Sequence, residues 1–302
     1  MKKILFISLL FLASYTQAQV SFGKPERIND NWKFSLDNPA DSSSVNIDDS
    51  QWRQVDLPHD WSVKGQLSPS LASCTGFLPG GSGWYRKSIL IPETKKSEKV
   101  YLYFEGVYNR SEVYINGKLL GKRPNGYISF MYDITSLVKY GQENSVAVKV
   151  DHSQSADSRW YTGSGIYRNV WLVYAHQVHI AEYGVYAVPE VKSTREAALK
   201  VQVELQNESN ENSTLTVVNE LYAPTGKLVS KAKSNVKVAA QQLLVLKTAL
   251  KVNKPQLWNL KTPVLYTLKT VVYHNGKQID ASEVQTGFRT FTFDPNKGFA
   301  LN

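Results

Sequence analysis

The chain has 302 residues, a formal net charge of +9, 42% hydrophobic and 20% charged residues, and one cysteine. That length accommodates about two domains of ~150 residues, each able to bury a core of its own, and a single cysteine excludes a fold pinned by internal disulfides. The positive excess drops to +7 without Lys2 and Lys3 and is spread along the chain with no basic block, which excludes a nucleic-acid-binding arm; a solvated basic surface is the default, and attraction to anionic glycans the weaker alternative.

Lys2 and Lys3 precede an apolar run from Ile4 to Ala13 and the small-x-small triplet Thr16-Gln17-Ala18, the pattern of a secretory signal peptide over residues 1–18. The run is too short to span a membrane, a signal-anchor being the alternative, and no later segment approaches ~20 apolar residues. The expected product is exported, periplasmic or extracellular, with neither a membrane nor a nucleic acid as partner. Leu71-Ala72-Ser73-Cys74 has the letters of a lipoprotein box but lies far beyond the apolar run.

Seventeen Tyr, seven Trp, frequent Val and recurring Asn-Gly turns favour strands, and no long stretch has helical periodicity, so the expected class is all-β. Ile89 to Ile91, Val100 to Phe104, Val113 to Ile115 and Val146 to Val150 read as strands in a first series, residues 19–176. Asn116-Gly117 reads as a hairpin turn, because both residues tolerate positive φ. A second series occupies 177–290. Val201, Val203 and Leu205 alternate with Gln202, Glu204 and Gln206, which implies one buried face and one wet face. Val236 with Val238, Leu244 with Leu246, and Tyr266 to Val272 repeat the pattern, with Asn275-Gly276 as a further hairpin turn. Asp294 to Asn302 carries Pro and Gly and reads as a linker.

Chemistry concentrates in Arg159 to Trp171, RWYTGSGIYRNVW. Trp160 and Tyr161 can lie against the apolar face of a pyranose while Arg159 donates a planar fork to hydroxyls or a carboxylate; the competing reading is turn packing, with Arg159 paired to Asp157 or another acid. Pro79 to Gly83 is glycine-rich but lacks the Lys-Ser/Thr and helix of a phosphate cradle. His176 and His179 have metal-like spacing without a third ligand, so no metal and no cofactor is expected. His59-Asp60 and Asp151-His152 have no assignable serine partner.

With LPHDW at Leu57 to Trp61, GSGWYRK at Gly81 to Lys87, FEGVYNRSEVYINGKLLG at Phe104 to Gly121, PQLWNLKTPVLYTL at Pro255 to Leu268 and GFRTFTFDPNKGFALN at Gly287 to Asn302, the run resembles glycoside hydrolase family 2. The resemblance implies a sugar-binding jelly-roll β-sandwich over 19–176, an immunoglobulin-like β-sandwich over 177–290, and a lead-in over 291–302 to a catalytic (β/α)8 barrel that is missing here. It also implies retaining hydrolysis by two barrel glutamates, the acid/base following an asparagine. Asn207-Glu208, Asn210-Glu211 and Asn219-Glu220 match by letters only, so no catalytic residue is assigned. The expected ligand is a carbohydrate with a terminal β-linked sugar, contacted by Arg159, Trp160, Tyr161 and Asp157, with His59 and Asp60 bracing the loop from behind. Galactose- and glucuronate-specific relatives resemble one another in carrying an aspartate where this chain has Arg159, so an acidic sugar or a differently oriented hexose stays open. Trp61, Trp84 and Tyr85 read as packing, Arg86 as core edge and Arg168 as an ion-pair partner. The rival functions are a freestanding carbohydrate-binding module and a structural truncation product without ligand.

Overall fold

Alternating and continuous apolar runs both become strands in the computed structural model, which describes residues 20–37, 42–154, 158 and 160–302. Residues 1–18, read above as a signal peptide, lie outside the described residues. Among the described residues helical content is confined to 3-10 turns at Ser62–Lys64, Ser73–Thr75 and Glu93–Lys95, and none of these residues forms a helix long and apolar enough to cross a membrane.

The first sandwich consists of β1 (Lys24–Arg27), β2 (Trp32–Leu36), β3 (Arg53–Val55), β4 (Gly81–Leu90), β5 (Lys99–Phe104), β6 (Ser111–Ile115), β7 (Lys118–Arg123), β8 (Phe130–Asp133), β9 (Glu143–His152) and β10 (Val170–Ala175). One sheet runs β1-β10-β5-β8 and the other β3-β2-β4-β9-β6-β7, so the chain switches sheets repeatedly and makes a jelly roll. β6 has a period-two pattern, with Ser111, Val113 and Ile115 buried and Glu112 and Tyr114 turned outward. β5 and β10 are apolar almost throughout because their sheet is covered on both faces. Val100, Leu102, Phe104, Leu172 and Tyr174 fill the jelly-roll core, while Tyr101, Tyr103, Trp171 and Val173 join the core of the second sandwich. Burying each such large side chain contributes about 1.5–3 kcal/mol. The hairpin at Asn116-Gly117 forms as read, with φ of 50° and 80° and Ile115 opposite Lys118.

The second sandwich is immunoglobulin-like: β11 (Val178–Ser193), β12 (Glu196–Asn207) and β15 (Gln242–Asn253) face β14 (Leu228–Val238), β13 (Ser213–Tyr222), β16 (Tyr266–His274) and β17 (Lys277–Thr286). Val201, Val203 and Leu205 are buried, and Gln202 and Glu204 between them are not. With no disulfide, a buried polar chain crosses the interior: Thr270 donates to Asn219 Oδ1 at 2.7 Å, and Asn219 donates to Thr248 at 3.2 Å.

The tail differs from the linker read in the sequence. Phe291–Asp294 (β18) and Gly298–Leu301 (β19) pair as a hairpin. Asp294 accepts the N–H groups of Asn296 and Lys297, both at 2.8 Å, and Gly298 takes φ of +78°. Pro295 and Gly298 therefore build a turn inside an element rather than interrupt one.

Candidate functional site

Connections β5–β6, β7–β8 and β9–β10 leave the same end of the jelly roll, and the β3–β4 connection climbs to meet them. Residues 57 to 61 run beside 164 to 166, His59 N–H donating to Ile166 carbonyl at 2.9 Å and Trp61 N–H to Ser164 carbonyl at 3.1 Å. Tyr108 and Gly165 exchange two backbone bonds of 2.9 Å, which fix the TGSG turn against the β5–β6 connection. Only glycine fits at 165: its φ is +123°, and a Cβ there would lie 2.2 Å from the Tyr85 hydroxyl.

At this end Trp160 and Tyr161 stand in solvent, 61% and 41% exposed. The Trp160 ring N–H donates to the Tyr127 hydroxyl at 3.1 Å. Tyr127, itself exposed, meets the buried Tyr108 edge to face at 5.4 Å, and Tyr108 meets His152 in the same manner at 5.1 Å. The Tyr127 loop is fixed from below, because Tyr167 donates to the Gly126 carbonyl at 2.8 Å and Asn125 Oδ1 accepts the Tyr127 and Ile128 N–H groups. Two aromatic faces are thus presented by hydrogen bonds internal to this domain.

Beside them Asp60 collects donors. Its Oδ1 accepts Ser62 N–H at 2.9 Å and Ser164 N–H at 3.0 Å, and its Oδ2 accepts the Tyr161 hydroxyl. A Cβ on Gly163, which has φ of +76°, would sit 2.9 Å from that Oδ2. Partial burial, the bond to Asp60 and the Asp60 charge all raise the Tyr161 phenol above its ordinary range, so it stays protonated.

His59 lies beneath, 4% exposed. Arg53 can only donate, and its Nη2 reaches His59 Nε2 at 2.9 Å; Nδ1 therefore carries the proton and donates to the Tyr85 hydroxyl at 2.7 Å. Burial, with the charges of Arg53 and Lys64, pulls His59 down to about 4, which keeps it neutral at physiological pH. A depression of about 610 Å³ is lined by Arg53, Gln54, Asp56, His59, Asp60 and Lys64. A second, about 310 Å³, lies between Asp37, Thr75, Gly81, His152 and Ser153.

The structure brings Trp160, Tyr161, His59 and Asp60 together, whereas Arg159 and Asp157 lie outside the described residues. Trp61 is core, 3% exposed and stacked on Phe34 at 5.5 Å. Trp84 and Tyr85 are buried; Arg86 is buried too, and pairs with Asp49 at 2.9 Å. Arg168 pairs with Glu105 at 3.7 Å. His179 donates to the His176 carbonyl and stacks on Phe22 inside the domain junction, and among the described residues no group of three His, Cys, Asp or Glu could hold a metal ion. Tyr127 was not anticipated, although Asn125-Gly126 ahead of it is a turn signal that would have set it on a loop.

The family model for the sugar binding domain of glycosyl hydrolases family 2 matches residues 25–176, and the model for glycosyl hydrolases family 2 matches residues 178–289. The β-galactosidase BoGH2A of Bacteroides ovatus is 41% identical over 276 residues, which is 91% of this chain and 32% of that protein. A β-glucuronidase of Bacteroides fragilis is 31% identical over 99% of this chain and 42% of its own length. A β-glycosidase structure from Bacteroides vulgatus superposes with a TM-score of 0.84 at 38% identity, covering 92% of this chain and 36% of that one. The chain thus spans about a third of the length of the curated relatives it matches. With matched domains in family order, and the first of them carrying an exposed aromatic site at its loop end, the chain belongs to glycosyl hydrolase family 2.

Proposed function

We propose that this chain is the sugar-facing, non-catalytic part of an exported family 2 glycosidase that acts on a terminal β-linked sugar, with the hydrolytic carboxyl pair in a barrel beyond these residues. The proposed division is 19–176 for the jelly roll, 177–290 for the immunoglobulin-like spacer and 291–302 as lead-in, after a signal peptide that directs export to the periplasm or beyond. One observation carries the reading: the Trp160–Tyr127 pair offers two exposed ring faces beside a carboxylate and a phenol, which suits a ring with one apolar face and hydroxyls at its edge. The names of the relatives, β-galactosidase and β-glucuronidase, support the β-linked class, and the 41% identity favours the galactosidase side.

Two of the three glutamates that follow asparagines are engaged elsewhere. Glu208 accepts Tyr101 and pairs with Lys99 at 3.4 Å between the domains, while Glu220 accepts Lys231 at 2.7 Å on the outer face of the second sandwich. Hydrolysis needs two carboxyls ~5–9.5 Å apart across a glycosidic bond. Because the platform is held by bonds within this chain, it also supports the second reading, a module that binds saccharide on its own. The purified chain is expected to leave chromogenic β-galactosides, β-glucuronides and β-mannosides intact; turnover that dies with a glutamate substitution in this chain would overturn the assignment.

A further inference from the structure

Proton bookkeeping at the site is one-sided. The Tyr161 hydroxyl spends its hydrogen on Asp60 Oδ2, and Asp60 Oδ1 is filled by two backbone N–H groups. What Tyr161 and Asp60 present to a neighbouring ligand is therefore acceptor lone pairs backed by a negative charge. Trp160 spends its single N–H on the Tyr127 oxygen, so the Tyr127 hydrogen is the donor left for a ligand at the other end of the platform.

The geometry points to the Asp60–Tyr161 pair as a specificity determinant that accepts a hydrogen bond from a neutral sugar hydroxyl and rejects a sugar carboxylate. This rests on the proposed sugar-facing role of Trp160 and Tyr161. A hydroxyl can donate to the pair; a carboxylate can only accept, and placed against Asp60 it leaves both sides desolvated and of like charge. Galactosides and uronides are the two classes named among the relatives, and the pair favours the neutral one, against the acidic-sugar alternative raised by Arg159. Asp60 cannot escape the conflict by turning away, because two backbone donors and Tyr161 hold its carboxylate. His59, buried just below, fixes the backbone of the same segment through the Ile166 carbonyl.

The test is calorimetric and saturation-transfer NMR titration of the whole chain with methyl β-D-galactoside and methyl β-D-galacturonide, which differ only at C6, at neutral pH and physiological salt to screen the general positive charge. The galactoside is expected to bind at least about tenfold more tightly, a difference of ~1.4 kcal/mol. Asp60→Asn is expected to narrow the ratio to about twofold, and Tyr161→Phe, which keeps the exposed ring, to weaken the galactoside about fivefold, as loss of one neutral hydrogen bond would. Equal or tighter binding of the galacturonide by the wild-type chain, or a ratio unmoved by both substitutions, would overturn the inference while leaving the sugar-facing role standing. Binding of neither sugar would overturn that role and this inference with it.

Discussion

His59 shows how a residue with catalytic letters becomes structural. It lies between a donor that cannot accept, Arg53, and the buried Tyr85, so one tautomer is fixed and the imidazole has no free nitrogen for proton transfer. Its folded value near 4 lies below the ordinary 6.5, so the unfolded chain takes up a proton first as pH falls. Stability from neutral His59 is fully present above 6.5 and is lost as pH falls toward 4. Its full span is about 3 kcal/mol, from 1.36 kcal/mol for each unit of difference. His59→Gln offers Arg53 an acceptor and Tyr85 a donor without titrating. Chemical denaturation from pH 7 to 4 should therefore give a shallower acid slope for the variant, and parallel slopes would contradict this account of His59.

At the scale of the element, Asn116 links turn chemistry to packing. It takes φ of 50° in the β6–β7 turn while its side chain donates to the Leu137 carbonyl at 3.0 Å and Asn144 Oδ1 at 2.8 Å and accepts Ser145 N–H at 3.0 Å. Asn116→Gly keeps the backbone conformation but removes all three bonds, and should cost about 2 kcal/mol, read as a lower melting temperature; an unchanged melt would show that the turn alone carries the hairpin. The two Asn-Gly hairpins and the alternating strand β12 were legible because local sequence decides them. The continuous apolar run of β5 was legible as a strand, but its two-sided burial was not, since the second covering face comes from the other sandwich. The tail hairpin was missed because Pro and Gly mark a turn and a linker alike. The site divides the same way: Trp160 and Tyr161 stood out by composition, whereas Tyr127 joins them only through the convergence of two loops.

At the scale of the molecule, the two sandwiches are fastened by the carboxylate of Asp280. It accepts Gly23 N–H at 2.9 Å from the first domain and the N–H groups of Ile180 and Ala281, both at 2.8 Å, from the second. Burial pushes Asp280 up to about 6 against the pull of those three donors. A raised folded value means the native state holds its proton longer than the unfolded chain, so this contribution grows as pH falls from about 6 toward 3.8, opposite in sign to that of His59. Asp280→Asn sets an amide N–H against a backbone donor and should cost about 2 kcal/mol at neutral pH. That deficit should widen on acidification and expose the junction to proteolysis; a deficit that shrinks would reverse the sign assigned here. The fastening holds the immunoglobulin-like domain against the jelly roll, where Tyr183 also bonds Ser129 at 2.8 Å at the end of the loop that carries Tyr127 in the aromatic platform. The direct test of that platform is titration of the whole chain with methyl β-D-galactoside, wild type against Trp160→Ala. Saturable, weak binding that falls five- to tenfold in the variant, the ~1–1.4 kcal/mol of one lost ring face, is the predicted result. Binding untouched by Trp160→Ala, or no binding by either protein, would contradict it.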